Sequence, residues 1–189
     1  MAASNATMAI SKQIWPAARG LSFYIWDKLD FKGGSLLELG SGLGLPGVVC
    51  GLKGARVTFS DFNPRALEIS AKNALLNGLG SFSCLAGDWR CFPPAGKFQW
   101  VVGSDIFYDP RLNPHLAAVI KEHLAGGGYL LLAHPGRQAS FEFIAGLMAD
   151  GFKVQDEEVR PVCIDDPHFP YYEIRINLLR RPEGLEIKR

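Results

Sequence analysis

Short apolar runs alternate along this chain with longer stretches of helical spacing. The runs are Ser35–Leu39, Arg56–Ser60, Ser81–Ala86, Gln99–Ser104, Gly128–Ala133, Phe152–Val159 and Tyr172–Leu179. Each is of strand length. Between and after the early runs, apolar residues recur every three or four positions, which marks one face of a helix. Ala66, Leu67, Ile69, Ala74 and Leu75 outline one such face. Leu116, Val119, Ile120, His123 and Leu124 outline a second, and Phe143, Ile144, Leu147 and Met148 belong to a third.

The punctuation agrees with this pattern. Asn63 before Pro64 reads as an N-cap followed by proline at the first helical position. Gly78 after Asn77 is a natural C-terminal stop. Gly126-Gly127-Gly128 is expected to end the helix before the fifth strand, and Gly151 the one before the sixth. Strands alternating with helices imply βαβ units, and the near-continuous apolar run Gly128–Ala133 suits a strand covered on both faces. The last two runs have no helical pattern between them, so they should pair antiparallel as a hairpin. The expected fold is α/β: a Rossmann-like, doubly wound sheet of seven strands, the last antiparallel, with helices on both faces. Residues 1–189 read as one domain, with an N-terminal segment over 1–14 and a C-terminal tail over 180–189.

Composition narrows the classes. Of 189 residues, 48% are hydrophobic and 21% charged, and the formal net charge is +1. That argues against nucleic-acid binding by bulk charge and against a long disordered tail. No basic n-region and apolar h-region opens the chain, and no run approaches a membrane span. Cys50, Cys84, Cys91 and Cys163 form no CxxC pair, so reduced thiols in the cytoplasm are expected. The four histidines show no metal-ligand spacing, and no metal is expected.

The first strand runs directly into Glu38-Leu39-Gly40-Ser41-Gly42-Leu43-Gly44. A glycine-rich turn before a helix lets a ligand approach the backbone at the carboxyl end of the sheet. Two nucleotide-like ligands compete for it. Gly42-Leu43-Gly44-Leu45-Pro46-Gly47 matches the GxGxxG of dinucleotide sites, but its phase is wrong. The glycine that leaves the strand is Gly40, and counted from there the third glycine would fall on Leu45.

The other ligand is S-adenosylmethionine. Glu38, Gly40, Gly42 and Gly44 match without a gap the first motif of class I methyltransferases, and here the sequence resembles them. Asp61, at the end of the second strand, is placed to accept both ribose hydroxyls of that cofactor. Asp88-Trp89, just after the third strand, resembles the position where an acidic side chain meets the adenine amino group and apolar neighbours sandwich the ring. Plainer roles stand beside these, Asp61 as a helix cap and Asp88 as a loop turn.

The fourth strand ends Gly103-Ser104-Asp105-Ile106-Phe107-Tyr108. That resembles the DxxY signature of the METTL21-type protein-lysine methyltransferases, the methyltransferase-16 family. Ile14-Trp15-Pro16-Ala17-Ala18 resembles the family's segment whose tryptophan packs on the cofactor. The resemblance runs from about Trp15 to the final strand. It implies S-adenosylmethionine as methyl donor, leaving as S-adenosylhomocysteine. It also implies a cofactor set of Trp15, Glu38, Gly40, Gly42, Gly44, Asp61, Phe62, Asp88, Trp89 and Ser104, and a catalytic pair, Asp105 and Tyr108. The Asn-Pro-Pro-Tyr type of motif does not occur after the fourth strand.

DxxY suits amine methylation. A lysine amine has a pKa of about 10.4 and must shed a proton before attack. Its nitrogen becomes cationic during transfer, which a carboxylate such as Asp105 can stabilise. Tyr108 offers a hydroxyl acceptor and an aromatic wall. Most of the rate should come from proximity and alignment. The alternative role for the pair is a turn cap and a groove-packed ring.

The expected activity is methyl transfer to an amine, the resemblance implying a protein lysine, with a small-molecule amine as the alternative. The expected protein is monomeric and binds neither nucleic acid nor membrane. His134 and Arg137, after the fifth strand, either line the substrate mouth or solvate a loop. The connection Arg160–Tyr172 carries Asp165, Asp166, His168, Phe169, Tyr171 and Tyr172, either a rim for a cationic substrate or a self-packed loop. With the turn after Tyr108 and Met1–Trp15, it is where substrate selection is expected.

Overall fold

A computed structural model describes residues 14–163 and 171–184. Seven strands form one sheet. They are β1 (Ser35–Leu39), β2 (Arg56–Asp61), β3 (Phe82–Ala86), β4 (Phe98–Ser104), β5 (Leu124–His134), β6 (Lys153–Cys163) and β7 (Tyr171–Arg180). The helices are α1 (Pro16–Lys28), α2 (Leu45–Leu52), α3 (Pro64–Leu76), α4 (Asn113–His123) and α5 (Gln138–Ala149). The strand order is β3-β2-β1-β4-β5-β7-β6. β1 pairs parallel with β2 and β4, and β3 and β5 continue the parallel set outward. β7 inserts antiparallel between β5 and β6, so the expected hairpin is present.

The pleat sorts the apolar runs onto two faces. Leu36, Phe59, Val102, Leu131, Ile174 and Ile176 pack with Leu21, Tyr24 and Ile25 of α1 and with residues of α2 and α3. Leu37, Leu39, Val101, Leu130 and Leu132 pack on the opposite side with Leu116 and Ile120 of α4 and Phe143 and Leu147 of α5. Neighbours in sequence, such as Leu36 and Leu37, thus enter different cores. Burial on both faces is why these strands read as continuous apolar runs.

The caps follow their chemistry. The Asn63 side chain accepts the Arg65 N–H at 3.1 Å, and Pro64 opens α3. Gly78 and Gly151 have φ of +83° and +94°, as helix stops require. The triple glycine behaves differently. α4 ends at His123, and Gly126–Gly128 lie inside β5. There the register with β4 jumps from Phe98↔Leu124 to Trp100↔Tyr129. These glycines form a bulge, with φ +69° at Gly127, rather than a helix terminus.

Strand order reverses between β1 and β4, which opens a crevice outside the carboxyl ends of these strands. The connections after β1, β2, β3 and β4 all leave on that side. Met1–Gln13, Asp165, Asp166, His168 and Phe169 lie outside the described residues.

Candidate active site

The loop after β1 needs glycine for conformational reasons. Gly40, Gly42 and Gly44 have φ of +63°, +53° and +74°, a region side chains rarely adopt. A Cβ on Gly42 would meet nothing within 4 Å, so the loop is open there. On Gly44 it would meet the Ser70 Cβ at 2.9 Å, and on Gly40 Ile106 at 3.1 Å and Trp89 at 3.5 Å. The loop is also pinned by hydrogen bonds. Ser41 N–H donates to the Ser60 carbonyl at 2.9 Å. The Ser70 hydroxyl donates to the Gly42 carbonyl at 3.0 Å, and the Asn73 amide to the Leu43 carbonyl at 2.8 Å. The protein's own groups thus hold the loop in this shape.

Glu38 lies beneath this loop, only 2% exposed. It packs where Gly47 has no side chain, since a Cβ there would stand 2.4 Å from Glu38 Oε2. That oxygen is buried with no hydrogen-bond partner among the described residues. Burial, aided by the Asp61 charge and opposed by the Gly47 N–H, pushes the Glu38 carboxyl up to about 8.

Asp61 ends β2 and is largely buried. Its Oδ2 accepts the Gly42 N–H at 3.0 Å and its Oδ1 the Asn63 N–H at 2.9 Å. One carboxylate thus ties the glycine loop to the start of α3. Burial raises its pKa against those backbone bonds. Gly87 N–H donates to the Asp61 carbonyl at 3.0 Å, which draws the β3 exit alongside. Asp88 follows and caps a short 3-10 turn, Trp89–Cys91, by accepting the Arg90 N–H at 2.9 Å. The Arg90 side chain pairs with the same carboxylate and holds its pKa down at about 2. The Trp89 ring lies against the glycine loop beside Gly40. Phe62 is largely exposed, Ser104 ends β4, and Trp15 is placed by α1, whose N-cap it forms.

Asp105 leaves β4 in a left-handed conformation, φ +52°. Asp and Asn adopt this region more readily than other side chains. Ile106 and Phe107 turn back into the core, and Gly103 makes room, since a Cβ there would stand 2.4 Å from Ile106 Cδ1. The Tyr108 ring remains half exposed. Burial first, then the carboxylates of Asp61, Asp109 and Asp88, push its phenol above the ordinary range. Ile106 of this motif and Trp89, which follows Asp88, both stand against Gly40, so the segments leaving β3 and β4 meet at the glycine loop.

Two neighbours, read from the sequence as lining the substrate mouth or solvating a loop, have definite partners. Arg137 reaches both carboxylate oxygens of Asp105, one through Nη1 and the other through Nη2 at 3.3 Å. His134 is not a loop-solvating residue, since it is only 1% exposed and hydrogen bonded at both ring nitrogens. Ser70 and Asn73 also support the glycine loop, although their helical positions advertise nothing of it.

The arrangement fits S-adenosylmethionine. Gly42 leaves open space over the loop, and acids at two strand ends suit hydroxyl and amine donors. Glu38 lies beneath the loop rather than at its open side. Among the described residues, no group of three or more His, Cys, Asp and Glu could hold a metal ion. No helix among them is long and apolar enough to cross a membrane.

Comparison with known proteins agrees. The chain is 31% identical over 128 residues to the histidine protein methyltransferase 1 homolog of Dictyostelium discoideum, covering 64% of this chain and 41% of that protein. It is 32% identical over 133 residues to the protein N-lysine methyltransferase METTL21A of Danio rerio, covering 66% and 60%. The chain thus spans roughly half the length of these relatives. Among solved structures, the N-methyltransferase NodS of Bradyrhizobium japonicum with S-adenosyl-L-homocysteine superposes with a TM-score of 0.67, at 18% identity. That match covers 88% of this chain and 86% of NodS, and shows the methyltransferase fold. A family model described as lysine methyltransferase matches residues 2–149. The chain belongs to this lysine methyltransferase family.

Proposed function

We propose that this protein transfers a methyl group from S-adenosylmethionine to the side-chain amine of a lysine in a protein substrate. The observation that carries the reading is that three motifs meet at the glycine loop. Gly40 stands against Ile106 of the DxxY segment and against Trp89, which follows Asp88, and the Gly42 N–H donates to Asp61 at 3.0 Å, so a cofactor lying on the loop would present its reactive end near the DxxY residues.

S-adenosylmethionine supplies an activated methyl on a cationic sulfur. The protein's residues do the rest. Gly40, Gly42 and Gly44 offer backbone to the ligand, and Asp61 accepts from its ribose hydroxyls. Asp88 and Trp89 hold the adenine edge and face. Phe62, Trp15 and Ser104 complete the walls. Asp105 orients the N–H groups of the incoming neutral amine and stabilises the positive charge that develops on its nitrogen. Tyr108 accepts from the amine through its hydroxyl and walls the lysine stem with its ring. Transfer forms the N–C bond as the S–C bond breaks, and the amine's extra proton departs to water.

Thermal stabilisation tests the first half of this reading. A ligand bound only by the folded protein raises the melting temperature. S-adenosylmethionine should do so and NAD should not. Stabilisation by NAD alone would overturn the assignment of the glycine loop.

A further inference from the structure

The carboxylate assigned to the amine does not stand alone. Arg137 grips both of its oxygens, and behind Arg137 lies a polar chain, buried at His134 and Asn177, that the proposed chemistry does not use. Gly136 N–H donates to His134 Nδ1 at 3.1 Å. An acceptor nitrogen carries no hydrogen, so the proton of the neutral ring sits on Nε2. Nε2 lies 3.2 Å from Asn177 Oδ1 and donates to it. The Asn177 amide in turn donates to Glu157 Oε1 at 2.8 Å. Every donor in this chain meets an acceptor, in one direction from Gly136 to Glu157.

The ring has little freedom. Phe107 and Phe141 meet it edge-on, at centroid distances of 6.0 and 5.4 Å. Gly136 has φ +85°, so the chain turns sharply just before Arg137. The Gly136–His134 bond closes that turn and sets where Arg137 begins.

We propose that His134 is a positioning residue for the Asp105 carboxylate, acting through Gly136 and Arg137. The proposal rests on the reading of Asp105 as the group that receives the amine. A carboxylate held at two oxygens by a planar guanidinium has a fixed plane, and its remaining lone pairs have fixed directions. Misplacing a catalytic group by about 1 Å can cost on the order of a hundredfold in rate. Arg137 without the His134 turn would still find Asp105, but in more than one pose.

The chain is pH-sensitive in one direction. An imidazolium cannot accept from Gly136. The charged and polar groups facing the ring are Asn177 and Arg175 on β7, Asp105 after β4 and Arg137 on its own turn, with Glu157 on β6 reached through Asn177. Burial leads in holding the ring's pKa below its ordinary value, and Arg175 and Arg137 add to it against Asn177 and Asp105. The ring is neutral at pH 7, and the turn loosens only in more acidic solution.

The test compares two replacements at one position. Asparagine places an oxygen where Nδ1 stood, so it accepts from Gly136 but cannot be protonated. Glutamine reaches toward Asn177 and leaves Gly136 unsatisfied. Initial rates are measured with methyl-labelled S-adenosylmethionine at saturation and a desalted cell lysate as acceptor. His134→Gln should lose about tenfold in rate with unchanged S-adenosylmethionine affinity. His134→Asn should return to within about threefold of wild type, and its ratio to wild type should rise as pH falls through the acidic range. Adding His134→Gln to Arg137→Ala should cost nothing further, because both act through one carboxylate. Equal rates for the Gln and Asn variants, or losses that multiply with Arg137→Ala, would overturn the proposal. A nitrogen NMR spectrum of the wild-type protein gives a check that needs no variant to fold. It should show Nδ1 unprotonated at neutral pH, and a protonated Nδ1 would overturn the proposal. Were Asp105→Asn to turn over at the wild-type rate, the reading of Asp105 itself would fall, whatever the His134 variants did.

Discussion

The backbone N–H of Asp105 donates to the Ala133 carbonyl at 2.8 Å, so β4–β5 pairing continues one residue past β4. At that residue the chain turns left-handed, with φ +52°. The carboxylate is thereby presented from a sheet-anchored position. Asparagine tolerates the same backbone and lacks the charge. Asp105→Asn should keep its melting temperature within about 2–4 °C and its stabilisation by S-adenosylmethionine, while the methyl-transfer rate falls at least about a hundredfold. An unchanged rate would remove Asp105 from the chemistry.

Tyr108→Phe separates the hydroxyl from the ring. The ring still walls the acceptor channel, so the loss should be smaller, about tenfold in rate. Because the phenol is raised above its ordinary range by burial and three carboxylates, it keeps its proton throughout the neutral range. The variant's pH–rate curve should therefore run parallel to that of the wild type up to about pH 9. A difference in shape below that pH would mean that the hydroxyl titrates.

Glycines of the loop and of the helix that follows it should fail in different ways. Alanine at Gly47 would drive a Cβ to 2.4 Å from Glu38 Oε2 and 2.5 Å from Phe59 Cε1. Such overpacking costs about 1–3 kcal/mol. Alanine at Gly42 meets open space and suffers only the left-handed backbone, about 1–2 kcal/mol. Gly42→Ala should thus unfold at a higher temperature than Gly47→Ala, yet lose more affinity for S-adenosylmethionine relative to its stability. Calorimetry with and without the ligand reads both quantities.

Glu38 gives a stability prediction with a definite sign. Its folded-state pKa is raised to about 8, mainly by burial. In the unfolded chain it would titrate near about 4.3. Between those values the unfolded state releases a proton that the folded state keeps. The contribution to stability is therefore full in acid and is lost as pH rises to about 8, by an amount on the order of a few kcal/mol. Glu38→Gln cannot titrate, so its melting temperature should change less between pH 5 and 8 than that of the wild type. Parallel curves would show that Glu38 is already ionised in the folded protein.

The strand count and the hairpin were legible because burial on both faces leaves runs such as Leu130–Ala133, where neighbouring residues feed opposite cores. The bulge at Gly126–Gly128 was not, because three glycines carry the same signal for a helix stop and for a kinked strand. The start of β5 at Leu124 was hidden for the same reason. In the site, spacing drew attention to the glycine loop and the strand-end acids, and the family resemblance to DxxY. It could not locate the Asp105–Arg137 pair, whose members lie 32 residues apart and meet only because β4 and β5 are neighbours. Nor could it tell that Glu38 faces inward, because a strand-end carboxylate looks the same above or below the sheet. His134 reads as polar from its type, but its partner Asn177 comes from the antiparallel strand 43 residues away.

The central claim is transfer to a protein lysine through Asp105. The most direct measurement is methyl-labelled S-adenosylmethionine incubated with a desalted lysate and either wild type or Asp105→Asn, followed by mass-spectrometric location of the label. The account predicts label on lysine Nζ with the wild type and none above background with Asp105→Asn, although both bind the cofactor. Label on histidine or arginine, label confined to small molecules when the lysate is left undesalted, or undiminished label with Asp105→Asn would contradict it.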